Sequence, residues 1–324
     1  MKRANLPLAT GMVALAVALS GQTAHAAGVS AGTLIENTAT ASYNTGAATV
    51  SVTSNTVTVK VDELLDVAVA NLSGSPIATG PSTVAVPFSV TNTGNGPEAF
   101  KLTANPTVAG NQFDATVQSI VIDSNNNGTY DAGVDTVLGS SDPTPVIAAD
   151  GKLKVFVLIT MPAGASDAQT SQLQLTAEAV TGTGAPGTAF AGKGEGGGDA
   201  VAGASGADDS ALAGLVASTV TLTLTKSAKI VDPFGGSQPV PGAVVTYSIV
   251  AAATGSGTAT NLHVTDGIPA GTAYKPGTLT LDTSTLTDAA DADDGTASAS
   301  GIDVSLGNVA GGSSKTVTFS VSIN

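Results

Sequence analysis

The chain has 324 residues, 25 acidic side chains against 11 basic ones, a formal net charge of −14, and neither cysteine nor tryptophan. That balance excludes a nucleic-acid binder, which needs a basic face, and disfavours adsorption to anionic lipid. It also excludes a disulfide framework and a cysteine-linked lipid anchor, so the fold must hold by packing alone.

Lys2 and Arg3 precede a short apolar run at 6–19, and Ala24-His25-Ala26 has the small-x-small form of a cleavage site. Residues 1–26 therefore read as a secretory signal peptide, too short and wrongly flanked to span a membrane. Its removal leaves nine basic residues, all lysine, against 25 acidic ones. The expected destination is outside the cytoplasm: secreted to the cell surface or the extracellular space, with the periplasm as the alternative.

Short runs of alternating apolar and hydroxyl residues follow, with turn signals between them. "TATASYNTGAATVSV" (38–52) reads as a hairpin around Asn44-Thr45-Gly46, and "NTVTVKVD" (55–62) continues it. Strands are expected at 65–72, 82–94, 99–106, 115–123, 152–162 and 172–180. Residues 182–218 are rich in glycine and alanine and read as a flexible linker; "ALAGLVAS" (211–218) within it reads as loop. "GKGEGGG" (192–198) lacks the Lys-Ser/Thr ending of a phosphate loop. Strands resume at 218–232, 243–255, 260–271, 277–282, 301–309 and 315–324. The halves share one grammar: "GPSTVAVPFSVTNTGNG" (80–96) parallels "VPGAVVTYSIVAAATGSG" (240–257), each a proline-led turn, a strand and a Thr-Gly-x-Gly turn. This predicts an all-β chain of two immunoglobulin-like β-sandwiches in tandem, at 62–181 and 219–324, behind an N-terminal β-strand segment at 27–61.

The stretches "LTLTKSA" (222–228), "VPGAVVTYSIVAAATGSGTATNLHVTDGIPAGTAY" (240–274) and "LGNVAGGSSKTVTFSVSI" (306–323) resemble the conserved repeat domain of bacterial and archaeal surface proteins, the family called domain of unknown function eleven. "AAATGSG" (251–257) departs from the family's Thr-Asn-Thr-Gly, which the first half keeps at residues 91–94. The resemblance implies an immunoglobulin-like sandwich in an envelope or extracellular protein. It implies no catalytic residues.

One stretch has the look of a metal loop. In "DSNNNGTYDAGVD" (123–135), oxygen-bearing side chains stand at Asp123, Asn125, Asn127, Asp131 and Asp135, Gly128 allows a sharp turn, and the Thr129 carbonyl can face inward. Hard cations take six to eight oxygens, so Ca2+ in a structural role is expected. The position of the usual bidentate glutamate holds Val134. The competing reading is an Asx-rich turn bonded to its own backbone. "DAADADDG" (288–295) lacks such spacing and reads as a solvated loop.

Catalytic signals are poor. His263 is the one histidine beyond residue 26, and a triad through Asp266 is conceivable only on paper. Lys226, Asn324 and Asp266 suggest an isopeptide, weighed against an exposed lysine and a frayed terminus. The expectation is a non-enzymatic, calcium-stabilised structural or adhesive protein whose partners are envelope or matrix components, or itself. The alternatives are a filament or layer subunit assembling by β-strand addition, and an accessory carbohydrate-binding envelope protein.

Overall fold

In the computed structural model, which describes residues 28–46 and 48–324, regular structure is all strand apart from one 3-10 turn at Glu195–Gly197. The signal-peptide reading lies outside the described residues. The described chain begins with β1 (Leu34–Asn37), β2 (Thr40–Asn44), β3 (Thr49–Thr53) and β4 (Val57–Lys60). β1 pairs antiparallel with β4, and β2 with β3. The second ladder continues beyond the first with a one-residue register shift, residues 38–39 and 54–56 lying between them, so the segment forms a two-stranded ribbon broken midway. The chain turns back after β2, where Gly46 takes a φ of 87°.

The first sandwich follows. Its strands are β5 (Glu63–Leu65), β6 (Val67–Asn71), β7 (Ile77–Thr79), β8 (Val84–Asn92), β9 (Phe100–Asn105), β10 (Thr116–Ile122), β11 (Thr136–Leu138), β12 (Lys152–Thr160), β13 (Thr170–Ala179), β14 (Ala189–Phe190), β15 (Ala200–Ala202) and β16 (Asp208–Ala217). One sheet has the order β11-β10-β12-β8-β6, the facing sheet β7-β16-β13-β9, and β14-β15-β5 closes one pole. Period-two alternation puts Val86, Phe88 and Val90 of β8 against Leu173 and Leu175 of β13, all fully buried in one core. β12 differs: "VFVLI" is buried on both faces, Val155, Val157 and Ile159 toward the core and Phe156 and Leu158 outward under the 123–135 loop.

The expected linker at 182–218 is corrected here. β16 pairs with β13 over nine residues and runs parallel to β7, in the interior of its sheet. Ala213, Leu215 and Ala217 lie in the core. Its inward residues are Ala211, Ala213, Leu215 and Ala217, three of the four alanine, and on the opposite face Gly214 lies against Pro76. Composition hid an alternating pattern whose inward residues are mostly alanine.

The second sandwich contains β17 (Val220–Val231), β18 (Val244–Gly255), β19 (Thr258–Gly267), β20 (Thr272–Tyr274), β21 (Thr280–Leu281), β22 (Ser284–Thr285), β23 (Gly295–Ala297), β24 (Gly301–Ala310) and β25 (Ser314–Ile323). A sheet ordered β17-β18-β25-β21-β22, with β20 also on β25, faces β19-β24-β23. Its core joins Ile249 and Ala251 to Val304, Val317 and Phe319. Tyr247 and Phe319 sit opposite each other in register, ring centroids 5.3 Å apart.

Only Ser218 and Thr219 connect the two sandwiches. The Ser218 N–H donates to the Thr79 carbonyl, and the Thr219 N–H to Asp167 Oδ1 at 2.8 Å. The Ser256 hydroxyl donates to the same oxygen at 2.6 Å. Those two donors, the hydroxyl first, hold the Asp167 carboxyl below the usual range.

The shared Thr-Gly-x-Gly turn has a common steric cause. A Cβ on Gly94 would lie 2.1 Å from the Leu64 carbonyl oxygen, and one on Gly255 would lie 2.3 Å from that of Thr219. In each sandwich the glycine lets the incoming chain cross this pole at backbone contact.

Leu215 is 1% exposed. Leu215→Ala is expected to cost about 2–5 kcal/mol, the price of a core cavity, in chemical denaturation. A cost near zero would restore the linker reading.

Candidate functional site

The 123–135 loop leaves β10 at its end, where the Asp123 N–H donates to the Lys154 carbonyl. Asp123 is buried, and its two carboxylate oxygens accept the N–H groups of Asn127 (3.1 Å) and Gly128 (2.8 Å). Positive φ at Asn126 (55°) and Gly128 (79°) makes that tight return feasible. The side-chain oxygens of Asn125 and Asn127 accept the N–H groups of Asn127 and Thr129. Their amide nitrogens both donate to Asp131 Oδ2, at 3.0 and 2.6 Å. Those two bonds, Asn125 first, hold the Asp131 carboxyl below its ordinary value. Asp135, also buried, closes the loop by accepting the N–H groups of Ser124 (3.1 Å) and Asp131 (2.8 Å).

All six expected ligand residues thus share one loop, and five of their side chains take part in its bonding. Among the described residues no three acidic, histidine or cysteine side chains converge tightly enough to hold a metal ion. The asparagine amides take up one oxygen of Asp131. The donor set is nonetheless of the right kind for calcium, being hard oxygen throughout. Sequence reasoning missed Tyr130, whose ring meets Phe156 edge-on at 6.3 Å and anchors the loop over the outer face of β12. The available signal was one aromatic in a polar loop, together with a strand apolar on both faces.

A second polar cluster went unread. Glu63 is 5% exposed. Its Oε2 accepts the Glu195 N–H at 2.8 Å, and its Oε1 has no hydrogen-bond partner among the described residues. Burial raises the carboxyl above its ordinary value; the Glu195 N–H opposes this, and the charges of Glu98 and Glu195 add to it. "GKGEGGG" therefore receives the ribbon's base: the Lys60 ammonium donates to the Gly196 carbonyl at 2.7 Å, and Asp62 accepts the Asp199 N–H.

The remaining candidates separate. His263 Nδ1 lies 3.2 Å from Asp303, exposed, while Asp266 forms an ion pair with Lys226; the triad is not assembled. Lys226 lies over the Tyr247 ring, 4.3 Å from its centroid. In register it is level with Ile249 and Val317. Asn324 lies seven residues further along, roughly 20 Å at the strand rise, so the Lys226–Asn324 isopeptide is ruled out by distance. In 288–295, Asp288 accepts the Tyr274 hydroxyl at 2.6 Å, and Asp293 accepts the N–H groups of Thr287 and Gly295. Burial, then the Asp288 carboxylate, pushes the Tyr274 hydroxyl up to about 12. A groove of about 470 Å³ between β9 and β10–β11 is lined by such residues as Leu102, Val117, Ile120 and Leu138, with no aromatic and no titratable side chain.

No family model matches the chain, and no curated protein matches it. Among solved structures, the C-terminal domain of the AgI/II polypeptide BspA of Streptococcus agalactiae aligns at 10% identity and a TM-score of 0.32, covering 81% of this chain and 91% of that one. A putative membrane anchored protein of Corynebacterium diphtheriae aligns at 11% identity and a TM-score of 0.21, covering 85% of this chain and 55% of that one. Both likenesses are loose and add nothing to the fold read from the strands themselves. Among the described residues no helix is long and apolar enough to cross a membrane.

Glu63 binds its proton more tightly in the folded chain than in the unfolded one. Its ionisation therefore costs stability above the raised value, and that cost disappears as pH falls through it. Glu63→Gln should raise the melting temperature near pH 7, and the gain should shrink as the pH is lowered toward about 4. A gain that does not depend on pH would refute this account.

Proposed function

We propose that the chain is a secreted, non-enzymatic structural or adhesive protein of the cell surface or extracellular matrix. The observation that carries this reading is the junction. Two sandwiches stand end to end on a two-residue connection that is hydrogen-bonded on both sides, and such a connection suits a spacer that transmits position or load. The export signal at 1–26 and the resemblance of residues 222–323 to the conserved repeat domain support the same reading.

Calcium in the 123–135 loop stiffens the first sandwich. Asp123, Asp131 and Asp135 would hold it with the side-chain oxygens of Asn125 and Asn127 and the carbonyl of Thr129. In support, three carboxylates and two asparagine side chains lie in one loop, and both asparagine amides already converge on Asp131, where a cation would take their place. Bound calcium supplies positive charge to three carboxylates gathered in one loop. With only three, affinity falls in the range of extracellular modules, about 0.1–1 mM.

The melting of residues 27–324 in calcium and in chelator tests this. Calcium at ten to a hundred times the dissociation constant should add about 1.4–2.7 kcal/mol. Asp123→Ala and Asp131→Ala should each abolish the increment, and identical melts in calcium and chelator would leave an Asx-rich turn. In cells, fractionation should place the intact chain outside the cytoplasm and a chain lacking 1–26 inside it.

A further inference from the structure

The ribbon and one sheet edge are each incomplete, and they match. Among the described residues, the hydrogen bonds of residues 34–59 stay within the ribbon. Only its base is held: Asn95 Nδ2 donates to the carbonyls of Val29 and Asp62, and Lys60 reaches Gly196. The ribbon has apolar faces with nothing packed on them. Ile35 stands opposite Val59 with Val57 on the same side, and further out Tyr43 stands opposite Val50 and Ala41 opposite Val52. Ile35, Tyr43, Val52, Val57 and Val59 are all exposed. A lone two-stranded ribbon is marginal in water, and an uncovered apolar face of this kind marks a contact surface.

The matching edge is β17. It pairs with β18 over twelve residues without a register break, and among the described residues its other side pairs with no strand. Alternate N–H and C=O groups there point away from β18. Leu224 shares the core-side alternation of Leu222 yet is 56% exposed, and the loop after β17 holds Phe234 91% exposed. The other long edge, β19, is broken by register shifts around Asn261, the kind of bulge that blunts an edge.

We propose that the ribbon of one chain adds to the β17 edge of a second copy, joining chains head to tail. This rests on the surface-structural reading above and names the partner. Length supports it: β3 and β4, with the non-strand residues 54–56 between them, span twelve residues, as the unbroken β17 does, about 40 Å when extended. Position makes the partner a second chain. β8 runs from the junction pole, where Val84 pairs with Ile159, to the ribbon pole at Asn92, so about 30 Å of sandwich separates a ribbon from its own β17. Backbone pairing supplies the bond, and the apolar ribbon face covers Leu224. An interface between two different surfaces of one chain does not close by two-fold symmetry and propagates as an open chain.

The cysteine-free sequence gives a clean test. Thr58→Cys on a tagged chain and Thr225→Cys on an untagged one, both spanning residues 27–324, are mixed and treated with a short bis-maleimide. The expected result is a cross-linked heterodimer, with none above background when Thr103→Cys on the β9 edge replaces Thr225→Cys. Sedimentation and electron microscopy of the unmodified chain should show linear polymers, lost on deleting 33–60 and on Leu224→Lys with Ala228→Lys. Monomers from the unmodified chain, polymers from the deletion variant, or equal cross-linking at β9 would each overturn the proposal. Fractionation should place the Leu224→Lys/Ala228→Lys chain outside the cytoplasm like the parent whether or not it polymerises, so failure here is separable from failure of the surface-structural reading.

Discussion

Burial of alternate aliphatic side chains between facing sheets is the constraint on which everything else rests. Without cysteine or tryptophan, each sandwich must close by interdigitation of Val, Leu, Ile and Ala around a few phenylalanines: Phe88 and Phe100 in the first, Phe319 in the second. The inward Ala213, Leu215 and Ala217 of β16 belong to the same packing. β12 marks where the scheme needs help. Its outward Phe156 and Leu158 require cover, and the acidic loop supplies it through Tyr130.

That cover changes how the acidic loop is understood. Its carboxylates are tied first to backbone N–H groups, so its fold over β12 is organised locally by Asp123 and Asp135. Asp131 is held differently, by the side-chain amides of Asn125 and Asn127.

The two poles repeat one solution. At Gly94 the incoming chain is the ribbon's continuation through Leu64, and at Gly255 it is the chain leaving the first sandwich through Thr219. The pole with the Thr-Gly-x-Gly turn receives whatever precedes it in the sequence. Asn92 and Asn95 add side-chain bonds at the first pole, and Asp167 and Ser256 do the same at the second. The result is a linear arrangement of ribbon, sandwich and sandwich, with an unpaired edge at the end away from the ribbon.

Local chemistry was legible in the residues. Alternation identified the strands, Asn44-Thr45-Gly46 the hairpin, and the 123–135 spacing a loop of clustered oxygens, because these depend on neighbours within a few positions. What composition could not convey was partnership across distance. β16 reads as linker because its alternation is written in alanine and glycine, and only pairing with β13 makes it a core strand. Glu63 looks like any surface acid until Glu195, 132 residues away, donates its N–H and the surrounding chain removes its water. Lys226 pairs with Asp266 and not Asn324 because register, which no local pattern specifies, sets it level with Val317. Sequence alone determined the class of fold and the poverty of catalytic chemistry. Tertiary structure decided which edges are closed and which are left open, since a strand's free hydrogen bonds are defined only by the neighbours it lacks.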